Sequence, residues 1–204
     1  MVSLLCSSRS GSTSLSLYLS KILDLKLETL PFIKEREISS LEDGIFYKIL
    51  IHQQAKGYDS LFEFGEQIIL KSDKIILLDR ENKLEQSESL AFRKSKYGDD
   101  FSKYHIREPY GNIDVNLVNE CMFHYKEHSK TLSQLSEKHN IPLFTYEEIF
   151  LNNGIDRLHE YLGIDRNDNL ENLHINNNRD RIINLKKTKI EKILVQMDIW
   201  RLLF

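Results

Sequence analysis

Val2-Ser3-Leu4-Leu5-Cys6-Ser7-Ser8-Arg9-Ser10-Gly11-Ser12-Thr13 is the stretch that decides the fold. Val2 to Cys6 is a short apolar run that reads as a fully buried strand; small residues follow, and then the helical spacing of Leu15, Leu19, Ile22 and Leu23 takes over. Strand, tight loop and helix start in that order put the loop at a helix N-terminus. There the backbone N–H groups of Ser10 to Thr13 and the positive end of the helix dipole favour an anion, and Gly11 lets the backbone approach it closely. Arg9 adds a formal charge and a planar donor fork.

The pattern comes close to an ATP-binding P-loop and departs from it at one decisive place. In G-x-x-x-x-G-K-[ST] a Lys follows the last Gly and reaches the β- and γ-phosphates, and the next hydroxyl holds magnesium. Ser12 stands where that Lys belongs, Thr13 keeps the hydroxyl, and Cys6 replaces the first Gly. Two readings stay open: a Ser-rich turn that caps a helix, and a phosphate or sulfate cradle without the nucleotide-kinase Lys.

Working outward, the chain alternates apolar runs with helical patterns. Leu27 to Asp43 is irregular and charged, holding Pro31 and Lys34-Glu35-Arg36-Glu37, and reads as a surface loop of the kind that grips acceptors beside a binding strand. Ile45 to His52 is a second strand, Tyr58 to Leu70 a helix, and Lys74 to Asp79 a third strand, wholly apolar between its ends. Arg80 to Phe92 turns from strand to helix again, so a second Arg lies on a second such junction. Tyr97 to Gly111 is a polar insertion; Ile113 to Lys138 is a long helix with its buried stripe on Leu117, Val118, Cys121, Met122, Tyr125, Leu132 and Leu135. Ile141 to Thr145 is a fourth strand, residues 146–150 and 157–162 are short helices, and Gly163 is a C-terminal stop. Asn167 to Asn178 is loop-like, and a basic amphipathic segment follows. Unbroken apolar strands between helices predict an α/β fold, a central parallel sheet covered on both faces.

Composition narrows the classes. At 204 residues and 41% hydrophobic content the chain can bury one substantial core, so one domain is expected over 1–204. A net charge of -3 and a pI near 6.2 argue against general nucleic-acid binding, which wants a basic face; any anion site must be local. Cys6 and Cys121 fall on a strand and a helix and suit a reducing compartment; no metal spacing uses them. The first residues read as strand rather than leader, and no apolar run is long enough to span a bilayer, so the expected location is cytoplasmic. His124 and His128 lie four apart on one helix face, a zinc-compatible spacing without an identifiable third ligand.

Taken together, the junctions resemble a known family. Arg9-Ser10-Gly11-Ser12-Thr13 after an apolar strand is similar to the 5′-phosphosulfate loop of sulfotransferases that use 3′-phosphoadenosine 5′-phosphosulfate (PAPS). Arg80 and Ser89, with Leu84, Gln86 and Leu90, resemble that family's 3′-phosphate motif, and their spacing is closest to the bacterial trehalose (glycolipid) sulfotransferase branch. Lys48-Ile49-Leu50-Ile51-His52-Gln53 resembles that branch's second strand; Thr145-Tyr146-Glu147-Glu148-Ile149 with Tyr161-Leu162-Gly163-Ile164 resembles a later landmark. The resemblance implies a P-loop-like, sulfotransferase-type three-layer α/β/α domain that moves a sulfuryl group from PAPS to a hydroxyl of a small-molecule or glycan acceptor. It implies that Arg9, Ser10, Gly11, Ser12, Thr13, Arg80 and Ser89 bind the donor without a metal, and that Lys48 assists at the bridging oxygen.

Sulfuryl transfer also needs a base for the acceptor's proton. Resemblance to the trehalose branch points to a Glu after the first helix, where Glu28 is nearest and Glu35 next; resemblance to cytosolic sulfotransferases points to a His just past the second strand, His52. His52 also titrates near neutrality when unperturbed, and strand alternation would put Lys48, Leu50 and His52 on one face. Arg179, Arg181, Lys186, Lys187 and Lys189 form a late basic stretch, of which the family's habit of covering the adenosine would use one. Asp79 and Glu81 flank Arg80 with negative charge and would weaken a phosphate grip if they faced it. Two rivals remain: a P-loop small-molecule kinase, suggested by Ile75-Ile76-Leu77-Leu78-Asp79 as a Walker B-like strand, and a non-catalytic nucleotide-binding module.

Overall fold

The computed structural model describes residues 1–29, 37–53, 57–98, 113–152 and 154–164. Along the chain run β1 (Val2–Cys6), α1 (Ser12–Ile22), β2 (Lys26–Thr29), β3 (Ile45–Leu50), α2 (Leu61–Lys71), β4 (Lys74–Asp79), α3 (Lys83–Tyr97), α4 (Val115–His139), β5 (Leu143–Thr145), α5 (Tyr146–Leu151) and α6 (Ile155–Leu162). Among the described residues the strands form one five-stranded sheet in the order β2-β3-β1-β4-β5, every pairing parallel. The α/β expectation therefore holds, with the apolar runs of β1, β3 and β4 as adjacent central strands.

Strand alternation divides the core in two. Leu5, Tyr47, Ile49 and Leu77 face α2 and α4, meeting Phe64, Ile68, Leu132 and Leu135. Leu4, Cys6, Phe46, Ile76 and Leu78 face the other way, onto Leu15 and Leu19 of α1, Ile149 of α5 and Leu158 of α6. Helices thus cover both faces, as the unbroken apolar strands require. A third cluster, Ala91, Val118, Cys121 and Tyr125, fastens α3 onto α4.

The sequence reading leaves out β2. Leu27 to Thr29 fall in the stretch whose composition predicts an irregular loop, yet Lys26-Leu27-Glu28-Thr29 pairs with Ile45 to Lys48 at the sheet edge. An edge strand of four residues, half of them charged, carries no apolar run long enough to announce itself. The second strand, expected to Ile45–His52, ends at Leu50, where Gln53 folds back: its N–H donates to the Leu50 carbonyl at 2.9 Å, and its Oε1 accepts from the Leu50 N–H at 3.3 Å. The third strand, the long helix and the Gly163 stop fall as expected, Gly163 in the left-handed region at φ 72°.

This strand order decides where a ligand can bind. From β1 the chain crosses β3 to reach β2, whereas from β4 it runs the opposite way to β5. Connections that diverge from neighbouring parallel strands open a crevice at the carboxyl ends of those strands. Here they are Cys6 and Asp79, so the loops bearing Arg9 and Arg80 form its two lips. All described residues belong to a compact unit, Met1–His174; the expectations for Glu35, for residues 99–111 and for the late basic stretch lie outside the described residues.

Candidate functional site

The loop between β1 and α1 is built by hydroxyls closing on backbone. Ser10 Oγ donates to the Ser7 carbonyl at 2.7 Å and is fully buried; Ser7 Oγ donates to Asp79 Oδ1 at 2.9 Å. Two residues take left-handed backbone, Arg9 at φ 61° and Gly11 at φ 77°. At Gly11 a Cβ would lie 2.6 Å from Tyr146 Cδ2 and 2.9 Å from Phe150 Cε2, so the position needs glycine for its backbone and for the α5 rings packed on it.

Gly11 is also the N-cap of α1, with no side-chain cap and no acidic residue in the first turn. Elsewhere the chain caps its helices: Ser60, Asn82, Asp114 and Thr145 accept from the N–H of Glu63, Glu85, Asn116 and Glu148 at the starts of α2, α3, α4 and α5. The short α6, capped by Gly154, also lacks a side-chain cap. What α1 has in place of a cap is a cation. Lys48 Nζ donates to Thr13 Oγ1 at 3.1 Å, and the residue is 6% exposed. Burial pushes the Lys48 ammonium down, Cys6 draws it back up, and Arg9 pushes it down again. No carboxylate pairs with Lys48 among the described residues. A buried cation against an uncapped helix start is a concentrated positive site, and both parts are expensive to leave without an anion.

The second lip is charge-balanced. Arg80, 9% exposed, donates through Nη1 to the Arg9 carbonyl at 3.1 Å, pairs through Nη2 with Glu85 Oε1 at 2.7 Å, and has Glu147 Oε1 3.8 Å from Nε. Its guanidinium lies over the Tyr146 ring, 4.6 Å from the centroid. Ser89 Oγ accepts from Arg9 Nε at 2.9 Å. Both residues read as a 3′-phosphate pair are thus joined to Arg9. Asp79 and Glu81 do not face the crevice unpaired: both Asp79 oxygens take Lys83 Nζ at 2.7 Å, and Glu81 Oε1 accepts from Thr145 Oγ1 at 3.0 Å. Glu147 accepts from the N–H groups of Glu81 and Asn82, tying α5 to the same junction.

Three loop supports come from side chains distant in sequence. Gln86 Nε2 donates to Ser7 Oγ at 2.9 Å and to the Ser8 carbonyl at 2.6 Å. Tyr125 Oη and Ser8 Oγ are 2.8 Å apart. Lys83 neutralises the Asp79 that holds Ser7. Gln86 lies one turn before Ser89 and was visible as part of that motif; Tyr125 was visible only as one apolar stripe residue among seven. Glu147 lies in the stretch Thr145 to Ile149, and nothing local marks it as a partner of Arg80.

The two candidate bases are placed differently from expectation. His52 lies in the turn after β3, exposed at one side, with its ring stacked on His128 of α4 (centroids 5.7 Å, planes 18° apart). Strand alternation therefore does not carry through from Lys48, which points to α1. His128 in turn meets Tyr125 edge-on at 5.9 Å. Crowding by protein pushes the His52 imidazole well down, with Lys94 and His124 adding to it; burial pushes His128 down to about 4, with His52 adding to it. Both rings are neutral at pH 7. Glu28 pairs in register with Tyr47, on the α2/α4 face, whereas Thr29 pairs with Lys48. Glu28 therefore lies on the sheet face opposite Lys48, because alternate residues of a strand point to opposite faces.

No protein-family model matches the sequence, and no curated protein matches it. Among the described residues no group of three His, Cys, Asp or Glu side chains is arranged to hold a metal ion, and no helix is long and apolar enough to cross a membrane.

Proposed function

We propose that this chain is a sulfotransferase that moves a sulfuryl group from PAPS to a hydroxyl of a small-molecule or glycan acceptor. The observation that carries the reading is Lys48: a buried cation without a carboxylate partner among the described residues, held on Thr13 at the uncapped start of α1. In the transfer the acceptor oxygen bonds to sulfur while the bond from sulfur to the bridging oxygen of the 5′-phosphate breaks. The electron pair stays on adenosine 3′,5′-bisphosphate. Lys48 and the first-turn N–H groups of α1 are suited to stabilise that developing charge, since donors fixed in advance need no reorganisation at the moment of reaction. The hydroxyl proton passes to a base, for which His52 is the better placed of the two: it lies past the carboxyl end of β3, where the crevice opens, and is neutral, whereas Glu28 lies within β2, in register with Tyr47.

The kinase alternative is the less supported, because its magnesium ligands would first have to give up other partners. Asp79 has both oxygens on Lys83, and Thr13 accepts from a cation, Lys48, so the two groups that would share a magnesium ion are already occupied. A non-catalytic nucleotide-binding module stays as second reading, favoured by one fact: the His52 ring rests on His128 rather than on the Lys48 side.

Calorimetry with adenosine 3′,5′-bisphosphate and with ATP, each with and without a chelator, tests the assignment. The expected result is bisphosphate binding that ignores the chelator and exceeds ATP binding. Tight, magnesium-dependent ATP binding would overturn it. Transfer of label from PAPS to an acceptor, once one is found, separates enzyme from binding module.

A further inference from the structure

One face of α3 is polar, and it is buried from Gln86 to Arg93. Gln86, Ser89, Arg93 and Tyr97 recur at three- and four-residue spacing, which puts them within one stripe of a helix turning about 100° per residue. Gln86 and Ser89 are 0% and 4% exposed and are bonded to the Ser7–Arg9 loop. Arg93 is 5% exposed, yet among the described residues its Nε and Nη1 are buried without a hydrogen-bond partner, and the buried hydroxyl of Tyr97 has none either. No carboxylate pairs with Arg93 among the described residues. The rings of Phe92 and Tyr97 lie 5.5 and 6.0 Å from its guanidinium carbon. Such contacts stabilise the face of the cation; the N–H edges lie in its plane and stay unpaired. A buried guanidinium with two idle donors, beside an idle hydroxyl, is a costly arrangement for a protein to keep without a ligand.

We propose that Arg93 and Tyr97 form a second oxyanion site, one turn along α3 from Ser89, that takes a phosphate or sulfate group. Four residues of helix span about 6 Å, so the site is continuous with the second lip of the crevice but lies beyond it. Arg80 already has Glu85 and Glu147 beside it, whereas Arg93 has no such partner among the described residues and presents the fork that suits an oxyanion. The second phosphate of a nucleoside 3′,5′-bisphosphate whose other phosphate occupies the α1 start is the occupant favoured by this continuity. That assignment rests on the function proposed above; the oxyanion site does not.

The test follows the Nε–Hε resonance of Arg93, identified by its loss in Arg93→Met, while inorganic sulfate, adenosine 5′-monophosphate and adenosine 3′,5′-bisphosphate are titrated into the full chain. The resonance is expected to move with sulfate and with the bisphosphate, and to respond far less to the monophosphate. Calorimetry should show Arg93→Met lowering the preference for bisphosphate over monophosphate roughly tenfold or more, while monophosphate affinity changes little. Tyr97→Phe should lower the preference less. Without ligand, Arg93→Met should melt no lower than the wild type, since it removes an unpaired buried charge. Movement with sulfate but with neither nucleotide would uphold the site and sink the nucleotide reading. A resonance that ignores sulfate and bisphosphate alike overturns the proposal; an unchanged preference in Arg93→Met overturns the nucleotide assignment alone.

Discussion

The two strand-to-helix junctions that form the crevice are built from similar parts and end in opposite electrostatic states. After β4, Asn82 caps α3, Glu85 sits in its first turn, and Arg80 is answered by Glu85 and Glu147. After β1, Gly11 leaves α1 without a side-chain cap, its first turn has no acid, and Lys48 is buried there without a carboxylate among the described residues. The first junction is a finished scaffold. The second keeps its positive charge unanswered among the described residues. A site that binds a charged ligand must hold unsatisfied charge of the other sign, so the imbalance, rather than the number of cations, separates the candidate binding lip from the one that braces it.

Several experiments break or sharpen this contrast. The largest effect is expected at the base: with an acceptor in hand, His52→Ala should lower turnover by roughly 10²–10⁴ and leave affinity for adenosine 3′,5′-bisphosphate near normal. Near-normal turnover there, with a collapse in Glu28→Gln, would hand the role to the carboxylate.

Gly11→Ala attacks the open junction itself. Left-handed backbone and a Cβ 2.6 Å from the Tyr146 ring should together cost about 2–4 kcal/mol in urea unfolding. A cost below about 0.5 kcal/mol, the range of an ordinary surface change, would mean that the loop repacks without difficulty. Arg80→Ala attacks the finished junction. It unties the Arg9 carbonyl and leaves Glu85 and Glu147 without their cation; since Glu85 is partly solvated, about 1–3 kcal/mol is expected. Adenosine monophosphate and bisphosphate should weaken together, because the brace serves the whole loop.

Thr13→Asp should turn the open junction into a finished one. Thr13 is exposed in the first turn of α1, so a carboxylate there would meet the helix dipole and Lys48 and stabilise the ligand-free protein by about 0.5–1 kcal/mol. The same change should abolish binding of the 5′-phosphate. Stabilisation with unchanged binding would refute the idea that this end of α1 is kept open for an anion.

The smallest effect is in pH dependence. Burial holds His128 below its unfolded value of about 6.5, so between about 6.5 and about 4 the unfolded chain binds more protons than the folded one. Stability should therefore be level above about 6.5 and fall as pH drops through that window. His128→Phe should flatten the fall. An identical urea midpoint profile from pH 7 to 4 in both proteins would contradict the burial of a neutral ring.

Much of the fold was legible because its signals are local. Lys74 to Asp79 and Ile113 to Lys138 announce themselves through an unbroken apolar run and a sustained helical stripe; the strand falls as expected and the helix runs Val115–His139. β2 was not legible, since two charges among four edge residues leave no period to read. His52 was misplaced for a related reason: alternation describes a strand, and the strand stops at Leu50.

By itself the sequence determined the order of elements apart from β2, the parallel α/β class and the place of a small-residue loop at a helix start, because period and turn residues are properties of neighbours along the chain. Only the tertiary structure decided which charges are answered. Asp79–Lys83 and Arg80–Glu85 join near neighbours along the chain; that Arg80 also meets Glu147, and that Lys48 and Arg93 lie buried without carboxylates among the described residues, are facts about groups brought together across the sheet and between helices. An ion pair falls off with distance in space and not along the chain, so no window of sequence contains these facts.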